Sequence, residues 1–178
     1  MSITDKSKPY FPLANDGWSK EDEATVTCFC GAVQLAFPTQ GPGLVNTFVC
    51  NCTDCHMITA SQFASNFTVA NTHLKHLRGQ DTLKTFAQSQ TIASGNMMTN
   101  HFCSTCGTLM YRVSSGFPHW SILRIGTIDD FTLQHTKLKP QKEISLSNDW
   151  TGYVPSRASP KLRAWALGTS STMAPFEL

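Results

Sequence analysis

The sequence predicts a mainly β domain: short antiparallel strands, cysteine-bearing zinc knuckles at hairpin tips, and a short helix near the C-terminus. Three observations predict it. Apolar residues recur at a two-residue period over short runs, most plainly at Val33, Leu35 and Phe37, which is the pattern of a strand with one buried face. Turn residues punctuate the chain at short intervals, as at Gly41–Pro42–Gly43 and Gly79–Gln80–Asp81. Seven cysteines fall into three tight groups, two of them pairs followed by glycine.

Residues 1–23 read as an irregular leader broken by Pro9, Pro12, Asn15, Asp16 and Gly17. Tyr10, Phe11 and Trp18 are its apolar anchors. Residues 24–157 form one domain. Strand patterns begin at Ala24 and continue through Leu44–Cys50, 63–69 and 74–77. Met98–Cys103 and residues 108–113 flank the last cysteine pair like the arms of a hairpin. Residues 120–125 suit a buried strand, and 131–135 and 143–146 complete the set. Two segments read as helical. One is a turn around Thr53–Thr59. The other has Ser159 as N-cap, Pro160 at its first position and Gly168 as its stop. Leu162, Trp165 and Ala166 share its inward face, and residues 158–178 are this helix and a tail.

A chain of 178 residues buries a core without needing metal merely because it is small. Its net charge of +2 is spread thinly, and the run Lys137, Lys139, Lys142 lacks interleaved aromatics. No nucleic-acid partner is expected. No apolar run approaches the roughly 20 residues of a membrane span, and residues 1–9 lack the apolar stretch of a signal peptide. The expected location is cytoplasmic, where thiols stay reduced and grouped cysteines bind metal or do redox chemistry. An odd number of cysteines also fits a disulfide framework poorly.

The three groups are Cys28 and Cys30 before Gly31, then Cys50, Cys52 and Cys55, then Cys103 and Cys106 before Gly107. Zinc with four thiolates is closed and structural, while zinc with three protein ligands keeps a position for chemistry. Two pairs make one closed site, and the triplet leaves one open. In each pair the glycine permits the positive φ that a tight cysteine turn needs. Three thiolates and a dication carry net −1. Such a centre suits a soft fourth ligand, another thiolate, whose pKa the metal lowers. The expected substrate is a thiol, and the chemistry is making or breaking a carbon–sulfur bond. Cys52, Cys55 and His56 also match the c-type haem pattern, but that reading leaves Cys50 unexplained.

The arrangement resembles the glutathione-dependent formaldehyde-activating enzyme family, also called the centromere protein V domain family. Its pattern C-x-C-G, C-x-C-x-x-C, F-C-x-x-C-G-T is met by Cys28–Gly31, Cys50–Cys55 and Phe102–Thr108. Residues 125–130 look like the family's G-T-L-D-D, and Asp149–Trp150 looks like its late tryptophan segment. The resemblance covers about residues 26–155. It implies an Mss4-like fold, a structural zinc on Cys28, Cys30, Cys103 and Cys106, and a catalytic zinc on Cys50, Cys52 and Cys55. It implies a carbon–sulfur lyase activity that joins glutathione, as co-substrate, to formaldehyde.

His56 and Asp54 stand beside the triplet and are the candidates for proton transfer and substrate orientation. An Asp in a tight turn more often bonds its own backbone, and His56 has the alternatives of facing solvent or serving as a spare ligand. His101 reads as a strand-face residue near the second knuckle. His73 and His76, three apart on a strand, face opposite sides. Asp129 and Asp130 read as a turn, and Arg78 and Arg124 are candidates to grip a carboxylate. Three functions stay open: the thiol–aldehyde enzyme, a non-enzymatic zinc-binding or formaldehyde-carrier module, and a zinc–water enzyme acting on a pathway intermediate. A homodimer is compatible with each.

Overall fold

The computed structural model describes residues 20–92 and 94–144. The expected N-terminal leader anchors, the C-terminal helix and Asp149–Trp150 lie outside them. Among the described residues ten strands form two sheets. In chain order they are β1 (Glu23–Thr27), β2 (Gln34–Pro38), β3 (Leu44–Cys50), β4 (Ala64–Ala70), β5 (Lys75–Arg78), β6 (Leu83–Gln88), β7 (Met98–Cys103), β8 (Leu109–Ser114), β9 (Trp120–Arg124) and β10 (Lys142–Ile144). Two α-helices, α1 (Thr53–Thr59) and α2 (Thr132–His135), and two short 3₁₀ turns, Asn71–His73 and Ile125–Thr127, interrupt them.

The small sheet runs β1-β2-β5, and the large one β10-β3-β4-β9-β8-β7-β6. All pairings are antiparallel except β10 with β3, which is parallel. The core lies between the sheets. Val26, Leu35 and Phe37 from the small sheet, with Val33 just before β2, meet Phe67, Val69, Met110 and Leu123 from the large one, all fully buried. The Phe37 and Phe67 rings stand 4.6 Å apart. Strand β2 does not alternate as its pattern predicts, because Gln34 and Ala36 are also buried. It is the middle strand of its sheet and is covered on both faces.

The other face of the large sheet carries a second, smaller cluster of Phe48, Cys50, Cys55 and Ala64. Helix α1 lies beside it. The sequence suggests only a turn there; the structure has seven helical residues. Cys52 is the N-cap, its sulfur accepting from the Cys55 N–H at 3.4 Å, and the helix ends at Ala60 in the left-handed region.

Two expectations are corrected. Residues 131–135 are the N-cap Phe131 and the short helix α2, and not a strand. The Asp130 carboxylate accepts from the Thr132 N–H at 2.9 Å and its hydroxyl at 2.7 Å, which turns the chain where apolar alternation suggested extension. Strand β6 is absent from the sequence reading. It is an edge strand held by its pairing with β7, and four of its residues are exposed, so it shows no apolar period. Among the described residues no helix is long and apolar enough to cross a membrane.

Candidate metal centres

The first centre joins the two sheets. Cys28 and Cys30 sit in the β1–β2 turn, and Cys103 and Cys106 bound the β7–β8 turn. Their four sulfurs lie within 4.8 Å of one another. Gly31 has φ 78° and Gly107 φ 73°, the positive values the knuckles require. Tetrahedral zinc with sulfurs at about 2.3 Å sets them about 3.8 Å apart. The Cys28–Cys30 and Cys30–Cys103 separations are 3.6 and 3.8 Å. These residues fit a zinc ion.

Four thiolates on a dication leave net −2, and donors face that charge. The Val33 N–H donates to the Cys28 sulfur at 3.2 Å. Thr108 Oγ1 lies 3.2 Å from the Cys106 sulfur and accepts from the Phe29 N–H at 3.1 Å, bridging the knuckles. Burial pushes the Cys28 thiol up to about 12. Burial also acts to raise Cys106, but its bonds with Thr108 pull it down to about 6. Arg78, expected to grip a substrate carboxylate, instead braces this knuckle by donating to Gly31 O and Gln34 Oε1, each at 2.8 Å.

The second centre is built from one continuous piece of chain. Cys50 ends β3, Cys52 caps α1, and Cys55 lies in its first turn. The three sulfurs also lie within 4.8 Å of one another, with Cys50 and Cys52 3.4 Å apart. They too fit zinc, with one tetrahedral position left over. The Cys50 thiol donates to Cys52 and holds it well below the ordinary thiol range, and the same contact pushes Cys50 up. The Arg112 guanidinium donates to the Cys55 sulfur at 3.5 Å.

The triplet opens onto a cavity of about 380 Å³ whose wall includes Asp54, Asn66, Thr91, Ile92, Arg112 and Arg124. That size falls in the lower part of the range for small-molecule sites, about 300–1,000 Å³. Arg112 and Arg124 are both buried. Burial pulls Arg124 below its ordinary range, against the opposing pull of Cys55.

The structure treats the other candidates unequally. Asp54 reaches the cavity, but its carboxylate accepts from Thr91 Oγ1 at 2.6 Å and Gln88 Nε2 at 3.2 Å. It ties the β6–β7 loop to α1 and does not bond its own backbone. His56 follows Cys55 but is not among the cavity-lining residues. Successive helical side chains diverge by about 100°, so neighbours in sequence need not share a site. His101 stacks on Tyr111 with ring centres 4.3 Å apart, and His76 approaches the same ring edge-on at 6.1 Å. Asp129 accepts from Thr25 and Thr27 at 2.6 Å each, pinning β1 and forming no dyad with Asp130.

Sequence reasoning passed over Arg112 altogether. A signal existed: a cation between Tyr111 and Val113 in a strand, as Arg124 stands between Leu123 and Ile125. Buried charges are rare unless paired.

Residues 23–148 match the family model described as glutathione-dependent formaldehyde-activating enzyme. No curated protein matches the chain. Among solved structures, a protein from Rhodobacter sphaeroides is similar with TM-score 0.51 and 18% identity, covering 67% of this chain and 99% of that one. At that identity the likeness speaks to the fold.

Proposed function

Because the chain belongs to the glutathione-dependent formaldehyde-activating enzyme family, we propose that it is a zinc-dependent carbon–sulfur lyase. In this reading it joins a glutathione-like thiol to an aldehyde carbon, or cleaves that adduct. One observation carries the proposal. The four-cysteine cluster is closed by its own ligands, whereas the three-cysteine cluster faces a cavity large enough for a small molecule.

Cys28, Cys30, Cys103 and Cys106 would hold a structural zinc, and Cys50, Cys52 and Cys55 a second. When bound there, zinc supplies a soft Lewis-acid position that favours the deprotonated form of a fourth, substrate sulfur. Arg112 and Arg124 add positive potential at the same place, so the thiol proton leaves to solvent at lower cost. The cavity wall holds the aldehyde against the sulfur, which is the positioning part of catalysis. The sulfur lone pair forms the carbon–sulfur bond, the carbonyl π pair moves to oxygen, and that oxygen takes a proton. His56 is not on the cavity wall, so that proton is drawn from solvent. The reverse course returns thiol and aldehyde. Asp54 keeps the β6–β7 loop against the site.

Exchange spectroscopy with carbon-13 formaldehyde and glutathione tests the reading, since the uncatalysed exchange is measured in the same buffer. The zinc-loaded protein should accelerate exchange, and Cys52→Ser should abolish the acceleration while the fold persists. No acceleration with any thiol–aldehyde pair would favour a non-enzymatic zinc module. Turnover of a substrate with no thiol present would favour the zinc–water reading.

A further inference from the structure

Two arginines and an asparagine share one face of the large sheet beside the triplet. Asn66 is paired with Arg124 across β4 and β9, and Arg112 with Ile122 across β8 and β9. Side chains two apart on a strand share a face, so Arg112, Arg124 and Asn66 are neighbours on the same surface as Phe48 and Cys50. Arg112 is 5% exposed, Arg124 7% and Asn66 1%.

Protein groups use only part of what the arginines offer. Arg112 Nη1 donates to Cys55, and Arg124 Nη1 to Asn66 Oδ1. Arg112 Nε, Arg124 Nε and Arg124 Nη2 are buried with no protein hydrogen-bond partner. Nε and Nη2 are one edge of a guanidinium, two parallel N–H bonds spaced to meet the two oxygens of a carboxylate. Leaving such donors buried and unmet is costly. Arg112 and Arg124 are the cations on the cavity wall, and Asp54, the carboxylate there, is already engaged by Thr91 and Gln88. Cys55 also pulls on the Arg124 guanidinium, so offsetting the sulfurs accounts for part of its charge, while its Nε–Nη2 edge still has no protein partner within hydrogen-bond distance.

We infer that the Nε–Nη2 edge of Arg124, with Arg112 beside it, is a carboxylate subsite. The substrate then carries a carboxylate within a few bonds of the reacting sulfur or carbon. The inference rests on the thiol–aldehyde reading above and narrows it to small acids, in keeping with a cavity of about 380 Å³. The carboxylate can belong to the thiol or to the carbonyl partner.

Titration calorimetry on the zinc-loaded protein separates these cases without relying on turnover. The probes are mercaptoacetate, its neutral amide mercaptoacetamide, and glyoxylate. If the thiol carries the acid, mercaptoacetate binds about tenfold or more tighter than the amide, and Arg124→Gln removes the difference. If the carbonyl partner carries it, the two thiols bind alike, while glyoxylate binds in the wild type and not in Arg124→Gln. Arg124→Lys keeps the charge but loses the fork, and should lose most of the preference. Should Arg124→Gln fail to fold, the wild-type contrast between acid and amide, with Arg124→Lys on glyoxylate, decides alone. Equal thiol affinities together with no Arg124-dependent glyoxylate binding would overturn the subsite and leave the thiol reading standing. Failure of both thiols to bind would overturn the thiol reading, and the glyoxylate arm would still report on the subsite.

Discussion

Arg112 Nη1 donates to the Cys55 sulfur at 3.5 Å, tying β8 to the first turn of α1. The chain thus lends the triplet a cation from a strand 57 residues away. Removing it should weaken metal binding at that centre by about 10–100-fold, the usual cost of losing a partner that supports a ligand. Arg112→Gln should release one equivalent of zinc to a chelator at a lower chelator concentration than wild type, and Arg112→Lys should recover part of the difference.

The two cysteine centres should fail differently. Cys103 is fully buried and its knuckle links the two sheets. Cys103→Ser should lower the thermal midpoint steeply, because binding free energy at a structural zinc is also folding free energy. Cys52 caps a helix beside a cavity, and serine also caps a helix N-terminus, so Cys52→Ser should lower the thermal midpoint far less than Cys103→Ser. Thermal melts of both variants, each with its zinc content, check the contrast.

Asp54 holds the β6–β7 loop through Thr91 and Gln88. Asp54→Ala should free that loop while the sheets persist. Amide hydrogen exchange at residues 88–92 should accelerate by about tenfold, the equivalent of one charged hydrogen bond of ~1.5 kcal/mol, with the core strands unchanged.

His76 faces Tyr111 and His101 between the sheets, and burial pulls its pKa below 6.5. A lowered histidine pKa means that the unfolded state binds the proton more readily. Stability from this group is present above pH ~6.5 and is lost as pH falls through the unfolded value toward the folded one. The ring is only partly buried, so the loss stays well below the ~1.4 kcal/mol per pH unit that one proton allows. Urea titrations between pH 7 and 5 should show a shallower decline for His76→Gln than for wild type.

Much of the site was legible because thiolate ligation imposes spacing. The grouping of seven cysteines predicted both clusters, and Gly31 and Gly107 take the positive φ their positions required. Strands β3 and β7 begin and end where the pattern placed them. What stayed hidden was set by contacts distant in sequence. Strand β6 needs its partner β7 more than any apolar face, and α2 forms where Asp130 turns the chain. The division into two sheets, which makes the closed centre an inter-sheet staple, has no local signature. Nor has the pairing of Arg124 with Asn66 across β4 and β9, although an arginine inside an apolar strand was a visible anomaly.

The central claim is that the chain carries one closed and one open zinc centre. Elemental analysis of protein purified without chelators tests it most directly. The account predicts two zinc ions per chain in the wild type and one in a folded Cys52→Ser variant, matching the two cysteine clusters. One zinc per chain in both proteins would contradict it.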